Sequence, residues 1–234
     1  MVFVGDPNSS MQGFIVIKSP REWQHALTWF NASETEMKIK FFDGYVSASF
    51  FESLNDGHVI EYVAWRSPED FQSAFKNPLF YDHVPIVEML AGPDQGVDIL
   101  LGSPVLLRHR AKDGAFLDAP APLVAGSTSS YMLAVYEGGA NASVEETIDG
   151  SVDNWLAERS DVQAYAILKT KDGHYLEYIE ATAPGVSGPA LPIFGSQLYS
   201  APLTLQVVVP PPADPDLKMV PFRLQMPSVD AEAP

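Results

Sequence analysis

Three side chains stand out as able to do chemistry: Glu61, Trp65 and His83. Residues 58–66 alternate as a strand, so Val59, Glu61, Val63 and Trp65 share one face, while His58, Ile60, Tyr62 and Ala64 take the other. A carboxyl group among such neighbours could act as general base on a phenolic proton, its pKa raised by a hydrophobic pocket. A structural Glu paired with Arg or Lys is the other reading, and its recurrence as Glu177 fits either. Trp65 could stack on a flat ligand or belong to the core. His83 suits acid–base work near neutrality, or caps a helix end. Trp29, Phe71, Phe75 and Tyr81 are the candidate substrate contacts, although Trp29 and His25, one helical turn apart, could equally form a surface pair. His58 and His174 follow Asp-Gly turns and are expected to help close them. Tyr62 and Tyr178 are expected to pack rather than react.

Composition removes several other chemistries. The 234 residues contain no cysteine, which excludes disulfides, thiolate metal sites and a cysteine nucleophile. Metal ligands do not cluster in the sequence, so no metal is expected. No dinucleotide-binding glycine fingerprint, P-loop, H-E-x-x-H or G-x-S-x-G motif is present. The formal net charge of -16 repels phosphate backbones and anionic lipid headgroups, so neither nucleic acid nor membrane is an expected partner. The start lacks a signal-peptide pattern and no apolar stretch could span a bilayer, which makes a cytoplasmic location the expectation.

The elements that must position these residues occur twice. Asn55-Asp56-Gly57-His58-Val59-Ile60-Glu61-Tyr62 corresponds to Lys171-Asp172-Gly173-His174-Tyr175-Leu176-Glu177-Tyr178, and the same offset pairs Val46 with Val162 and Ala48 with Ala164. Asp-Gly between alternating apolar runs predicts a hairpin with a type I′ turn over 45–54 and 58–66, copied over 162–170 and 174–181. Before the first hairpin the sequence predicts a strand at 14–18. A helix follows, with Ser19 as N-cap, Pro20 in its first turn, and an apolar stripe of Trp23, Ala26, Leu27 and Phe30. Before the second come a strand at 131–136 and a helix at 143–159 carrying Val144, Ile148, Val152, Trp155 and Leu156, with Gly150 weakening its middle. Ser67-Pro68-Glu69-Asp70 predicts a further helix with Phe71, Ala74 and Phe75, then a turn or short helix at 83–90 and a strand at 104–109. In the second copy Pro184, Gly185, Gly188, Pro189 and Pro192 break the matching helix before a strand at 204–209. Each copy thus reads β-α-β-β-α-β.

The expected fold class is α+β: tandem ferredoxin-like units whose antiparallel sheets form an intramolecular dimeric α+β barrel. The units span 13–110 and a degenerate 130–210, joined by a linker at 111–129. A proline-rich acidic tail at 211–234, with Phe222 and Leu224 able to pack on the body, completes the chain.

Gly44-Tyr45-Val46-Ser47-Ala48-Ser49, Asp56-Gly57, Tyr62-Val63-Ala64-Trp65-Arg66-Ser67, Phe71, Pro78 and His83 resemble the antibiotic biosynthesis monooxygenase domain of the dimeric α+β barrels. The resemblance covers roughly 13–110 and reaches the second copy through the repeat. It implies a pocket between sheet and helices, and an oxygenase that uses O2 on a polycyclic aromatic polyketide-like substrate such as a phenol or anthrone. Trp65 falls on the family's pocket Trp and His83 near its pocket His. Glu61 stands where the cofactor-free members carry Asn, exchanging a hydrogen-bond donor for a group that, when ionised, only accepts. Tandem members resembling angucycline ring-opening oxygenases use reduced flavin (FMN or FAD), which leaves flavin open as a co-substrate. Phe75 at the approximate Trp position of haem-degrading relatives speaks against haem. A non-oxidative polyketide cyclase or a ligand-binding barrel is the alternative from another class. The paired units imply an internal pseudo-dimer, with room for a further homodimer.

Overall fold

The computed structural model describes residues 2–92, 96–138, 144–191 and 193–214, with backbone alone over 144–149. The first half runs β1 (Val2–Val4), β2 (Met11–Ile17), α1 (Arg21–Met37), a 3-10 turn (Ile39–Phe41), β3 (Tyr45–Ser53), β4 (Val59–Trp65), α2 (Pro68–Phe75), α3 (Pro78–Tyr81), α4 (Val84–Ala91) and β5 (Val97–Arg110). After β6 (Phe116–Leu117) and β7 (Ala121–Leu123) the second half runs β8 (Ser130–Gly138), α5 (Val144–Ala157), β9 (Val162–Thr170), β10 (Tyr175–Ala181) and β11 (Phe194–Val209).

Eight antiparallel strands close on themselves in the order β2-β4-β3-β11-β8-β10-β9-β5, with β5 returning to β2. The first half contributes β5-β2-β4-β3 and the second β11-β8-β10-β9, the same order of successive strands in each. Two strands are much longer than their apolar runs suggest. β5 pairs its start with β2 and its end with β9, while β11 pairs first with β8 and then with β3. The expected strands at 104–109 and 204–209 are therefore only the later parts of β5 and β11. Their earlier residues are largely solvent-facing, which hides the burial alternation.

An eight-stranded barrel is just wide enough for side chains to fill. Here Phe14, Ile60 and Tyr62 from one half meet Leu133, Leu176 and Tyr178 from the other. Phe14 lies 5.3 Å from the Tyr62 ring and 6.2 Å from that of Tyr178. Both tyrosines are thus packing residues of the shared interior, as their repeat positions suggested.

Several local expectations are corrected. The α1 N-cap is Pro20, not Ser19; the Ser19 hydroxyl instead donates to the Gly57 carbonyl at 2.9 Å and ties the helix start to the hairpin turn. Trp23 and Ala26 are exposed, and the buried face of α1 is Gln24, Leu27, Thr28, Asn31 and Thr35. Both Asp-Gly hairpins form, but only Gly57 and Gly173 have positive φ, at 83° and 91°. The connections are thus longer than two-residue type I′ turns, with glycine alone in the left-handed region. The 111–129 connection is structured: β6 pairs with β5, and β7 pairs with β1, a strand the sequence did not signal. Ser67 does cap α2, accepting from the Asp70 amide at 3.1 Å. In α5, Val152 and Leu156 are buried; the side chains of Val144 and Ile148, residue Pro192, and 215–234, with Phe222 and Leu224, lie outside the described residues.

The outer faces of the two halves differ. In the second, α5 and the irregular segment between β10 and β11 cover the sheet, and Val152, Leu156, Tyr165, Ile179, Val186, Leu191 and Ile193 pack into one cluster. In the first, α1 to α4 cover the sheet less completely.

Candidate active site

A cavity of about 300 Å³ lies between the outer face of β2, β3 and β4 and the helices of the first half. Alternation along β4 aims Glu61, Val63 and Trp65 into it. The Ser67 cap, reinforced by the Arg66–Asp70 ion pair at 2.7 Å, fixes the start of α2 so that Phe71 and Phe75 form a wall. Asn77 caps the next turn through the Leu79 amide at 3.0 Å, bringing Phe80, Tyr81 and His83 to the same space.

Aromatic rings line one side almost continuously. Tyr45 and Trp65 meet edge-on at 5.7 Å, Trp65 and Phe71 at 5.6 Å, Phe71 and Phe75 stack at 5.6 Å, and Phe75 reaches Tyr81 at 4.9 Å. Trp65 is only 2% exposed and belongs to the core, and it also lines the cavity. Tyr81, Val97 and Ile99 line the cavity yet are substantially exposed, which marks its mouth.

Glu61 brings a carboxyl to this cavity. Its register neighbours are Ile15 on β2 and Phe50 on β3. Among the described residues its carboxyl has no hydrogen-bond or ion-pair partner, and burial alone pushes its pKa up to about 8. Glu177, its repeat counterpart, is 1% exposed and fully engaged: it accepts from Tyr165 at 2.7 Å and Tyr136 at 3.1 Å. A Cβ placed on Gly188 would lie 1.8 Å from its Oε1, so the broken-helix segment presses directly on this carboxyl. Its pKa reaches only about 6, raised by burial and held down by the two tyrosine hydroxyls. One sequence position thus carries two roles: a satisfied structural carboxyl in the second half, and an unpaired one facing a cavity in the first.

His83 has a buried Nδ1 without a partner among the described residues. Burial lowers its pKa against the opposing pull of Glu34 and Asp82. Burial thus favours the neutral imidazole over the imidazolium. Glu34, Asp82 and His83 could converge on a cation, their ligand atoms lying within 4.8 Å of one another. The Lys38 ammonium already sits there, 2.6 Å from Glu34 and 3.1 Å from Asp82. Lys38 offsets one of the two carboxylate charges.

The structure brings together Glu61, Trp65, His83, Phe71, Phe75 and Tyr81. Trp29 is the correction. It is 49% exposed on the far side of α1, with its ring edge-on to His25 at 6.1 Å, and it does not line the cavity. His25 in turn bonds Glu52 at 2.9 Å, so these residues form the surface group. Among the lining residues that sequence reasoning missed are Asn31, Tyr45 and Phe80. Asn31 follows Gln24 and Thr28 at helical spacing, a polar stripe overlooked because periodicity was sought in apolar residues.

No protein-family model matches the chain, and no curated protein matches it. Solved structures do. An anthrone oxidase-like protein superposes with a TM-score of 0.69 at 11% identity, covering 94% of this chain and 100% of its own. A candidate monooxygenase from Lactobacillus acidophilus NCFM gives 0.54 at 11% identity, over 86% of this chain and 95% of its own. Another, from Fusobacterium nucleatum, gives 0.57 at 8% identity, over 86% and 94%. At these identities the likeness is one of fold.

Proposed function

We propose that the chain is an oxygenase that takes a neutral polycyclic phenol or anthrone into the first-half cavity and oxidises it with O2. The observation that carries this reading is Glu61, an unpaired carboxyl group facing an aromatic-walled cavity. A base whose pKa lies near 8 is well matched to a weakly acidic phenol or anthrone C–H. Ionised Glu61 removes that proton, and the electron pair of the resulting carbanion forms a bond to O2. The proton returns to the peroxide oxygen; O–O cleavage with loss of the second C–H proton releases water and leaves a carbonyl. The balance is CH2 plus O2 giving C=O plus H2O, with all electrons supplied by the substrate. Trp65, Phe71 and Phe75 hold the rings, and neutral His83 is available as a second proton acceptor. The oxidase and monooxygenase descriptions of the structural neighbours agree with this chemistry.

We read the matching strand orders as tandem ferredoxin-like units forming an internal pseudo-dimer, with the working pocket in the first. A flavin nucleotide fits this pocket poorly: the lining offers the carboxyls of Glu61 and Glu88 and neither Lys nor Arg to meet a phosphate. No step is therefore assigned to flavin.

The test is oxygen uptake with anthrone as probe, with and without reduced FMN, using Glu61→Gln to set the background. Uptake without flavin, lost in the variant, is the expected result. Uptake only with reduced FMN supports the flavin-using reading instead. Anthrone binding or cyclisation of a polyketide probe without uptake assigns a binding barrel or a cyclase.

A further inference from the structure

The buried face of α1 is mostly polar, and most of it is satisfied. Gln24 donates to the Ser53 and His58 carbonyls, each at 2.8 Å, and Thr28 donates to the Gln24 carbonyl at 2.8 Å. Asn31, on the same face, is 6% exposed and lines the cavity, yet its Nδ2 has no acceptor among the described residues. An unpaired buried amide costs its full desolvation, so such a group calls for a reason. It does not bond Glu61, nor His83, whose Nδ1 is likewise unpartnered in the same cavity. In the second half, the counterpart of Glu61 is satisfied by two tyrosines.

Taken with the proposed function, on which this inference rests, the geometry points to Asn31 as the hydrogen-bond donor that reads a ketone oxygen on the aromatic ligand while Glu61 faces its acidic proton. The two ends of an amide have nearly the same shape, and with no acceptor for Nδ2 among the described residues the ligand sets which end faces it. A carbonyl oxygen selects the NH2 end. The ligand class follows: a neutral, flat aromatic ketone with an acidic hydrogen elsewhere on its rings. Asn31 on α1 thereby supplies the donor that Glu61 does not provide once ionised.

Anthrone and 9,10-dihydroanthracene share a ring skeleton and differ at one oxygen, so equilibrium dialysis of both without O2 isolates this contact. The full chain should prefer anthrone by about tenfold or more, the range of one buried hydrogen bond. Asn31→Leu, of similar size, should lose about tenfold of that preference and leave dihydroanthracene binding within about twofold. Asn31→Ala, which removes the amide without adding an ionisable group, should also lose that preference and serves if the Leu variant does not fold. Undiminished preference in either variant overturns the assignment, as does failure of the unmodified protein to bind or to discriminate. If discrimination depends on Asn31 but no oxygen is consumed, the donor assignment stands and the oxygenase reading falls.

Discussion

Replacing Glu61 by Gln should make the protein more stable, and increasingly so as pH rises. In the unfolded chain this carboxyl titrates near its ordinary 4.5, whereas burial raises it to about 8 in the folded state. Between these values the folded state holds a proton that the unfolded state has released. Stability therefore falls with rising pH, by roughly 1.4 kcal/mol per unit from this group. Its contribution is intact below 4.5 and fully lost above 8, the reverse of a salt-bridged carboxylate. Water reaching the cavity screens part of this, so a cost of about 2–3 kcal/mol at pH 8 is a reasonable expectation. Glutamine is neutral throughout and nearly the same shape.

Urea unfolding of both proteins at pH 5, 6, 7 and 8 should give curves that nearly coincide at pH 5. By pH 8 they should separate by about 2–3 kcal/mol in favour of the variant. Glu177, Glu180, His58 and His109 also have shifted pKa values, but they occur in both proteins and cancel in the difference. Tyr45, Tyr81, His83 and Glu88 share the cavity; of these Tyr45 stays protonated near pH 7 and burial favours the neutral form of His83. A separation independent of pH, or a variant less stable at pH 8, would refute a half-buried, unpaired Glu61.

Trp65→Ala would remove a buried side chain that contacts Tyr45 and Phe71, destabilising by about 3–5 kcal/mol in chemical denaturation. Trp65→Phe should keep the fold and lower anthrone affinity, measured by dialysis; unchanged affinity would remove Trp65 from the ligand wall. Gly188→Ala should destabilise by about 2–3 kcal/mol in thermal or urea unfolding, because its Cβ would meet the Glu177 carboxyl. Val97→Asp at the mouth should weaken binding of a neutral aromatic probe severalfold without changing the melting temperature by more than a few degrees.

The two hairpins and the face of β4 that carries Glu61 and Trp65 were legible because Asp-Gly turns and period-two alternation are local signals. The loss of the second helix was equally plain from five glycines and prolines. What escaped the sequence depends on distant partners. β1 is three residues long and exists through its pairing with β7. The early residues of β5 and β11 are held by ladders to β2 and β8, strands of their own halves, while their side chains largely face solvent, so no alternation marks them. Trp23 and Trp29 drew attention for their size, yet the helix turns them outward and buries Gln24, Thr28 and Asn31 instead. The satisfied state of Glu177 and the isolation of Glu61 follow from Gly188, Tyr136 and Tyr165, residues no spacing rule connects.

The ladders of β5 and β11 reach across both halves, so either half cut free would present bare strand edges and would seek a second copy to cover them. In such a pair of identical chains, every substitution would arise twice and both hollows would have to stay alike. With the halves on one polypeptide that constraint is lifted: one outer face can be packed solid around Val186, Leu191 and Ile193 for rigidity while the other keeps its opening.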